Sequence, residues 1–145
     1  FKAEPKLALD LVQEIHRRIP GTALVMHGSS SVPAELVEIV NRYGGRMPNA
    51  KGVPMSAIQS VIPHGVCKVN IDTDGRIAIT GAIRKVFAET PEKFDPRDYL
   101  GPAREALKQL VARKMGELGT AGHAGDFAPQ TLQDMVEFYN LNNLM

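Results

Sequence analysis

Apolar residues follow two rhythms along this chain. In one they recur every three or four positions, the spacing that lines one side of a helix. In the other they run unbroken for four or five residues, as in a strand buried on both faces. The first rhythm predicts a helix over Lys6–Arg18, with Leu7, Leu11 and Ile15 in a stripe, basic Arg17-Arg18 at its end and Pro20-Gly21 as the breaker. The second predicts a strand over 23–27, Ala-Leu-Val-Met running into His27. Gly28 then permits a tight turn and Pro33 suits the start of a helix over 33–40. After a Gly-, Pro- and Asn-rich loop over 43–51, a short helix is expected in 53–62, stopped by Pro63-His64-Gly65. A second strand follows over Val66–Ile71. Helices are then expected over Arg76–Ala88 (Ile79, Ile83 and Phe87 in a stripe) and Ala103–Leu118 (Leu107, Leu110, Val111, Met115 and Leu118), separated by a polar stretch. Thr131 reads as the N-cap of a last short helix.

Strands that alternate with helices pair in parallel. Two parallel strands do not make a stable sheet by themselves, so they read as the last strands of a larger one. A first residue that is Phe, with no capped element before it, also reads as a chain cut from something longer. The 145 residues suit a globular segment, and a formal net charge of +1 gives no reason to expect nucleic acid or an anionic membrane as partner. A single cysteine fits a reducing cytoplasm, and no apolar run approaches the roughly 20 residues of a membrane span.

Chemistry gathers where the two strands stop, the end of a parallel sheet at which ligands bind. His27 is the one histidine placed at a strand end, and it reads either as a metal ligand or as a hydrogen-bonded structural residue. His16, His64 and His123 read as ordinary helix or loop residues. Gly28-Ser29-Ser30-Ser31, ahead of a helix, is a phosphate cradle in outline, although Gly/Ser loops are common. Thr73 beside Gly75 offers the same chemistry at the neighbouring strand. Alternation would put Asn70 and Asp72 on one face, where an amide and a carboxylate can bind sugar hydroxyls; an Asx-turn is the plainer alternative. Arg76 suits a phosphate or a solvated helix start equally well.

Taken in order, these stretches resemble the class II, metal-dependent fructose-bisphosphate aldolase family. The most specific are Leu24–Pro33 and Lys68–Asp74, supported by Lys93–Tyr99 and Leu118–Ala124. The loop from Tyr43 to Gly52 resembles the branch of that family that forms larger oligomers and includes carbon-fixation enzymes. The resemblance implies a (β/α)8 TIM barrel of which residues 1–145 are the C-terminal section of one domain: the last two strands, their helices and a helical C-terminal extension. It implies reversible cleavage of fructose 1,6-bisphosphate to dihydroxyacetone phosphate and glyceraldehyde 3-phosphate, with zinc as Lewis acid, in glycolysis, gluconeogenesis or the Calvin cycle.

By the same resemblance His27 matches a zinc ligand. Gly28 and Ser30 match the loop that holds one substrate phosphate, with the Gly28 carbonyl on a monovalent cation, Na+ or K+. Asn70 and Asp72 match catalytic residues that contact the substrate's hydroxyls, Thr73 a second donor to that phosphate, and Arg76 a residue near the far one. Asp95 and Arg97 match a segment reaching a neighbouring subunit's site, Arg97 on the far phosphate, which implies a homo-oligomer, dimer or tetramer, in the cytoplasm. No residue here matches the family's other two zinc histidines or its catalytic aspartate, so the isolated 145 residues are expected to be inactive. Alternatives on the same frame are an aldolase for tagatose or sedoheptulose bisphosphate, or an inactive barrel fragment.

Overall fold

The structure, a computed structural model, describes residues 7–141. Among them are six α-helices, two short 3-10 turns and two strands. The order is α1 (Leu9–Arg18), β1 (Leu24–Met26), α2 (Ala34–Arg42), α3 (Met55–Val61), β2 (Val66–Val69), α4 (Thr73–Glu89), α5 (Pro96–Glu117) and α6 (Leu132–Leu141). The expected start of the first helix, Lys6, lies outside the described residues.

β1 and β2 pair in parallel, as the alternation with helices requires. Leu24 faces Val66, but Val25 faces Lys68 and Met26 faces Val69, so β2 carries one extra residue, Cys67, as a bulge. β1 stops with its apolar run at Met26, one residue before the expected His27, and β2 stops at Val69, two before the expected Ile71. Asn70 still donates its backbone N–H to the Met26 carbonyl at 2.9 Å, after which the chain turns into α4.

α4 is the packing centre, lying against α2 on one side and α5 on the other. Gly81 lets α2 come close: a Cβ there would sit 3.1 Å from the Ile39 side chain. The main cluster joins Val32, Val37, Val40 and Ile77, with Leu36, Met47 and Ala50 against it. Ile58 and Val61 of α3 are fully buried.

Two helices, α4 and α5, differ from expectation in both start and buried face. α4 starts at Thr73 rather than Arg76, and it buries Asp74, Ile77, Ala78 and Gly81, while Phe87 of the expected stripe is exposed. α5 starts at Pro96, seven residues before the expected Ala103. Asp95 caps it by accepting from the Arg97 N–H at 2.9 Å, and proline suits the first helical position. The helix continues through Pro102, whose ring forgoes one bond back along the helix, because Ala103 and Leu110 are buried beyond it. On α5 the inward residues are Ala103, Leu110 and Lys114; Val111 and Met115 face out.

Candidate active site

The parallel pairing brings the two polar strand ends together. Past the end of β1 the His27 ring is exposed, and Asn70 Nδ2 lies 3.1 Å from each ring nitrogen. The amide donates to whichever ring nitrogen lacks a proton. At Gly28 the chain then turns with φ +68°, a conformation glycine enters without steric cost.

Ser29 to Val32 form a loop fastened from below. Ser29 is buried and its hydroxyl donates to the His27 carbonyl at 3.2 Å. The Ser30 hydroxyl accepts from the Thr73 N–H at 3.2 Å, and the Ser30 carbonyl accepts from Val53 N–H at 3.0 Å. Gly52 runs so close that a Cβ there would meet the Ser30 carbonyl oxygen at 2.2 Å.

The strongest anchor is Asp74, in the first turn of α4 and fully buried. Its carboxylate accepts from the Ser31 hydroxyl at 2.8 Å, the Ser31 N–H at 3.2 Å and the Val32 N–H at 2.9 Å. Lys114 reaches in from the last turn of α5: its Nζ is 2.8 Å from Ser31 Oγ, 3.0 Å from Glu117 and 3.7 Å from Asp74. Removing the lysine of a buried pair of this kind costs about 3–5 kcal/mol, because the carboxylate is left without its cation.

This arrangement corrects one expectation. Of the expected cradle Gly28-Ser29-Ser30-Ser31, the Ser31 N–H is not offered to a ligand: it points at Asp74, as does the N–H of Val32 next to it. The helix whose N-terminus adjoins the loop is therefore α4 as well as α2. What the loop leaves open to solvent is Gly28 and, in part, Ser30, beside Thr73.

Other expected site residues fall in two groups. Asp72, at the N-cap of α4, forms an exposed ion pair with Arg76 at 2.8 Å. Strand alternation does not relate Asn70 to Asp72, since β2 has ended at Val69. Both nonetheless flank the same strand end. Asp95 and Arg97 sit elsewhere. They bond to each other at the N-terminus of α5, and at 1.5 Å per residue Arg97 is about 25 Å along that helix from Lys114. Arg97 is 90% exposed and does not join the strand ends of its own chain. His64 bonds Gln13, His123 bonds Asp126, and His16 packs on Gly65 at the opposite end of β2.

Sequence reasoning passed over two residues. Asp74 was legible only as one polar residue among several. Lys114 carried a usable signal: it continues the 103–107–110 spacing of the inward side of α5, a lysine where an apolar residue would be expected.

As a zinc site the donors are incomplete. A catalytic zinc takes three protein ligands. Among the described residues no three His, Cys, Asp or Glu side chains are grouped to hold a metal. An exposed imidazole fits a single ligand of such a set, once Asn70 gives up the ring nitrogen it contacts. No described helix is long and apolar enough to cross a membrane.

A family model described as fructose-bisphosphate aldolase class-II matches residues 1–123. The fructose-bisphosphate aldolase of Giardia intestinalis is 52% identical over 141 residues, 96% of this chain and 43% of that protein. Those of Nostoc commune and Treponema pallidum are 48% and 51% identical, over 92% and 83% of this chain. They are matched over 37% and 36% of their own length, so the chain spans about two-fifths of these relatives.

Proposed function

Since the chain belongs to the class-II fructose-bisphosphate aldolase family, we propose that the full-length protein carrying it cleaves fructose 1,6-bisphosphate reversibly into dihydroxyacetone phosphate and glyceraldehyde 3-phosphate. The observation that carries the reading is the meeting of His27 and Asn70 at adjoining strand ends, beside a loop folded against the first turn of α4.

In this reading residues 1–145 are the C-terminal section of one TIM-barrel domain, and β1 and β2 are its last two strands. His27 is one of three zinc ligands, and the others come from the rest of the barrel. Zinc held there supplies Lewis-acid polarisation of the substrate ketone. The work of this chain is to bind and orient. Gly28, Ser30 and Thr73 hold the phosphate of the dihydroxyacetone end, at backbone N–H groups and hydroxyls beside a helix N-terminus. The Gly28 carbonyl faces a monovalent cation, Na+ or K+, that offsets the phosphate charge. Asn70 donates its amide to the substrate oxygen nearest His27, and Asp72 accepts from a sugar hydroxyl. Arg76 leaves Asp72 to meet the far phosphate, an exchange that is cheap because their ion pair is exposed. Asp95 and Arg97, remote from these strand ends, serve the site of a neighbouring subunit in a homo-oligomer.

The test is His27→Ala in the full-length protein, with metal content and cleavage rate measured together. Loss of bound zinc and of turnover by at least about a hundredfold is expected. Near-normal turnover with zinc retained would refute the assignment. Rates on the tagatose and sedoheptulose bisphosphates, measured beside those on fructose 1,6-bisphosphate, decide which sugar the hydroxyl contacts select.

A further inference from the structure

We propose that Asp74 and Lys114 are a positioning pair that sets the shape of the Gly28–Val32 loop for an anionic ligand, although neither touches that ligand. The inference rests on the reading above and adds two residues to it.

Three observations carry it. First, Val32 has φ +47°, a conformation that β-branched residues avoid. It is held there by a specific contact: its N–H and that of Ser31 both point at the Asp74 carboxylate. Successive N–H groups converging on one anion form an anion-binding concavity, and here a side chain of the protein fills it. Second, that carboxylate is fully buried, and its cationic neighbour is Lys114 Nζ, with the Ser31 hydroxyl donating to Asp74 and accepting from Lys114. The lysine compensates a negative charge that would otherwise repel a phosphate held on the outer side of the same loop. Third, the pair joins the start of α4 to the end of α5 through Ser31, and the Ser30 hydroxyl next to it is bonded to Thr73. Movement of Ser31 is therefore passed to both halves of the phosphate site.

Without the lysine the carboxylate is left uncompensated. Without the carboxylate Val32 is free to return to negative φ, which turns the Ser31–Val32 peptide and carries Ser30 away from Thr73. Either change weakens phosphate binding more than it slows the bond-breaking step, which takes place at His27 and Asn70.

The experiment uses the full-length protein with Lys114→Met, Lys114→Arg and Ser31→Ala, and two readouts. One is steady-state cleavage of fructose 1,6-bisphosphate; the other is the rise in melting temperature produced by inorganic phosphate. Lys114→Met is expected to raise KM on the order of tenfold while kcat moves less than about threefold, and to remove most of the phosphate-induced rise. Lys114→Arg, which keeps the charge, is expected to restore both to within about threefold of wild type. Ser31→Ala removes only the bridging hydroxyl, is read alone if Lys114→Met does not fold, and is expected to move both readouts in the same direction. Wild-type values for KM and phosphate response in a folded Lys114→Met or Ser31→Ala protein would overturn the inference, as would a wild-type protein that does not respond to phosphate. A wild-type protein that binds phosphate but does not cleave the sugar would refute the proposed function, and the melting shifts would still decide the role of the pair.

Discussion

Gly52 shows how closely the loop after β1 is bounded. The atoms that a Cβ at Gly52 would strike are the Ser30 carbonyl oxygen at 2.2 Å and the Ser31 carbonyl carbon at 2.4 Å, backbone rather than a yielding side-chain tip. Gly52→Ala is therefore expected to cost about 1–3 kcal/mol, and to raise KM for the sugar bisphosphate by displacing Ser30. Urea denaturation and steady-state kinetics of the full-length variant check the two effects. At this scale the sequence was readable where a residue type is rare in its setting: a histidine at the end of an apolar run, then an asparagine at the end of the next. It was opaque where the meaning lies in a long-range partner. Nothing local distinguishes Asp74 from Asp72, yet one is fully buried under Ser31 and the other forms an exposed pair with Arg76.

Among the elements, α4 and α5 were hard to read both in where they start and in which face they bury, and α5 carries the stronger local signals against a helix. Its first seven residues include two prolines and a glycine, which argue locally for a loop. An N-cap and the burial of Ala103 and Leu110 outweigh them. The cap also makes this helix start sensitive to acid. The Arg97 guanidinium and then its backbone N–H hold the Asp95 carboxyl below the usual carboxylate range. A group whose folded pKa is depressed contributes stability that is present above its unfolded pKa, near 3.9, and is lost as pH falls through the lower folded value. Titration of the full-length protein, followed by the Arg97 amide resonance, is expected to show the cap opening only below that unfolded value. Asp95→Asn, which also caps helices but does not ionise in this range, should abolish the transition.

At the level of the whole molecule, the described chain leaves apolar surface outside its own core. Leu11, Val25 and Phe87 are each about half exposed, and each strand of the pair keeps an unpaired edge. Surface of this kind binds other polypeptide, whether the rest of a sheet or an unrelated chain. Residues 1–145 expressed alone are expected to aggregate, or to bind a hydrophobic dye and melt without a sharp transition. A soluble monomer with a cooperative melt would contradict this. The parallel pairing and the meeting of the strand ends were legible from the order of strands and helices alone. The direction in which α4 turns its stripe was not, because Ile79, Ile83 and Phe87 satisfy helical spacing as well as Ile77, Ala78 and Gly81 do.

Cys67 gives the pairing of β1 and β2 a further meaning. Were the ladder even from Leu24 and Val66 onward, Met26 would stand beside Lys68, and the imidazole would look across at the isopropyl group of Val69. The one supernumerary residue in β2 advances that strand by a single step, and an amide arrives there instead. A chemical encounter between two side chains is thus decided by arithmetic in the backbone, three residues before the asparagine that benefits from it.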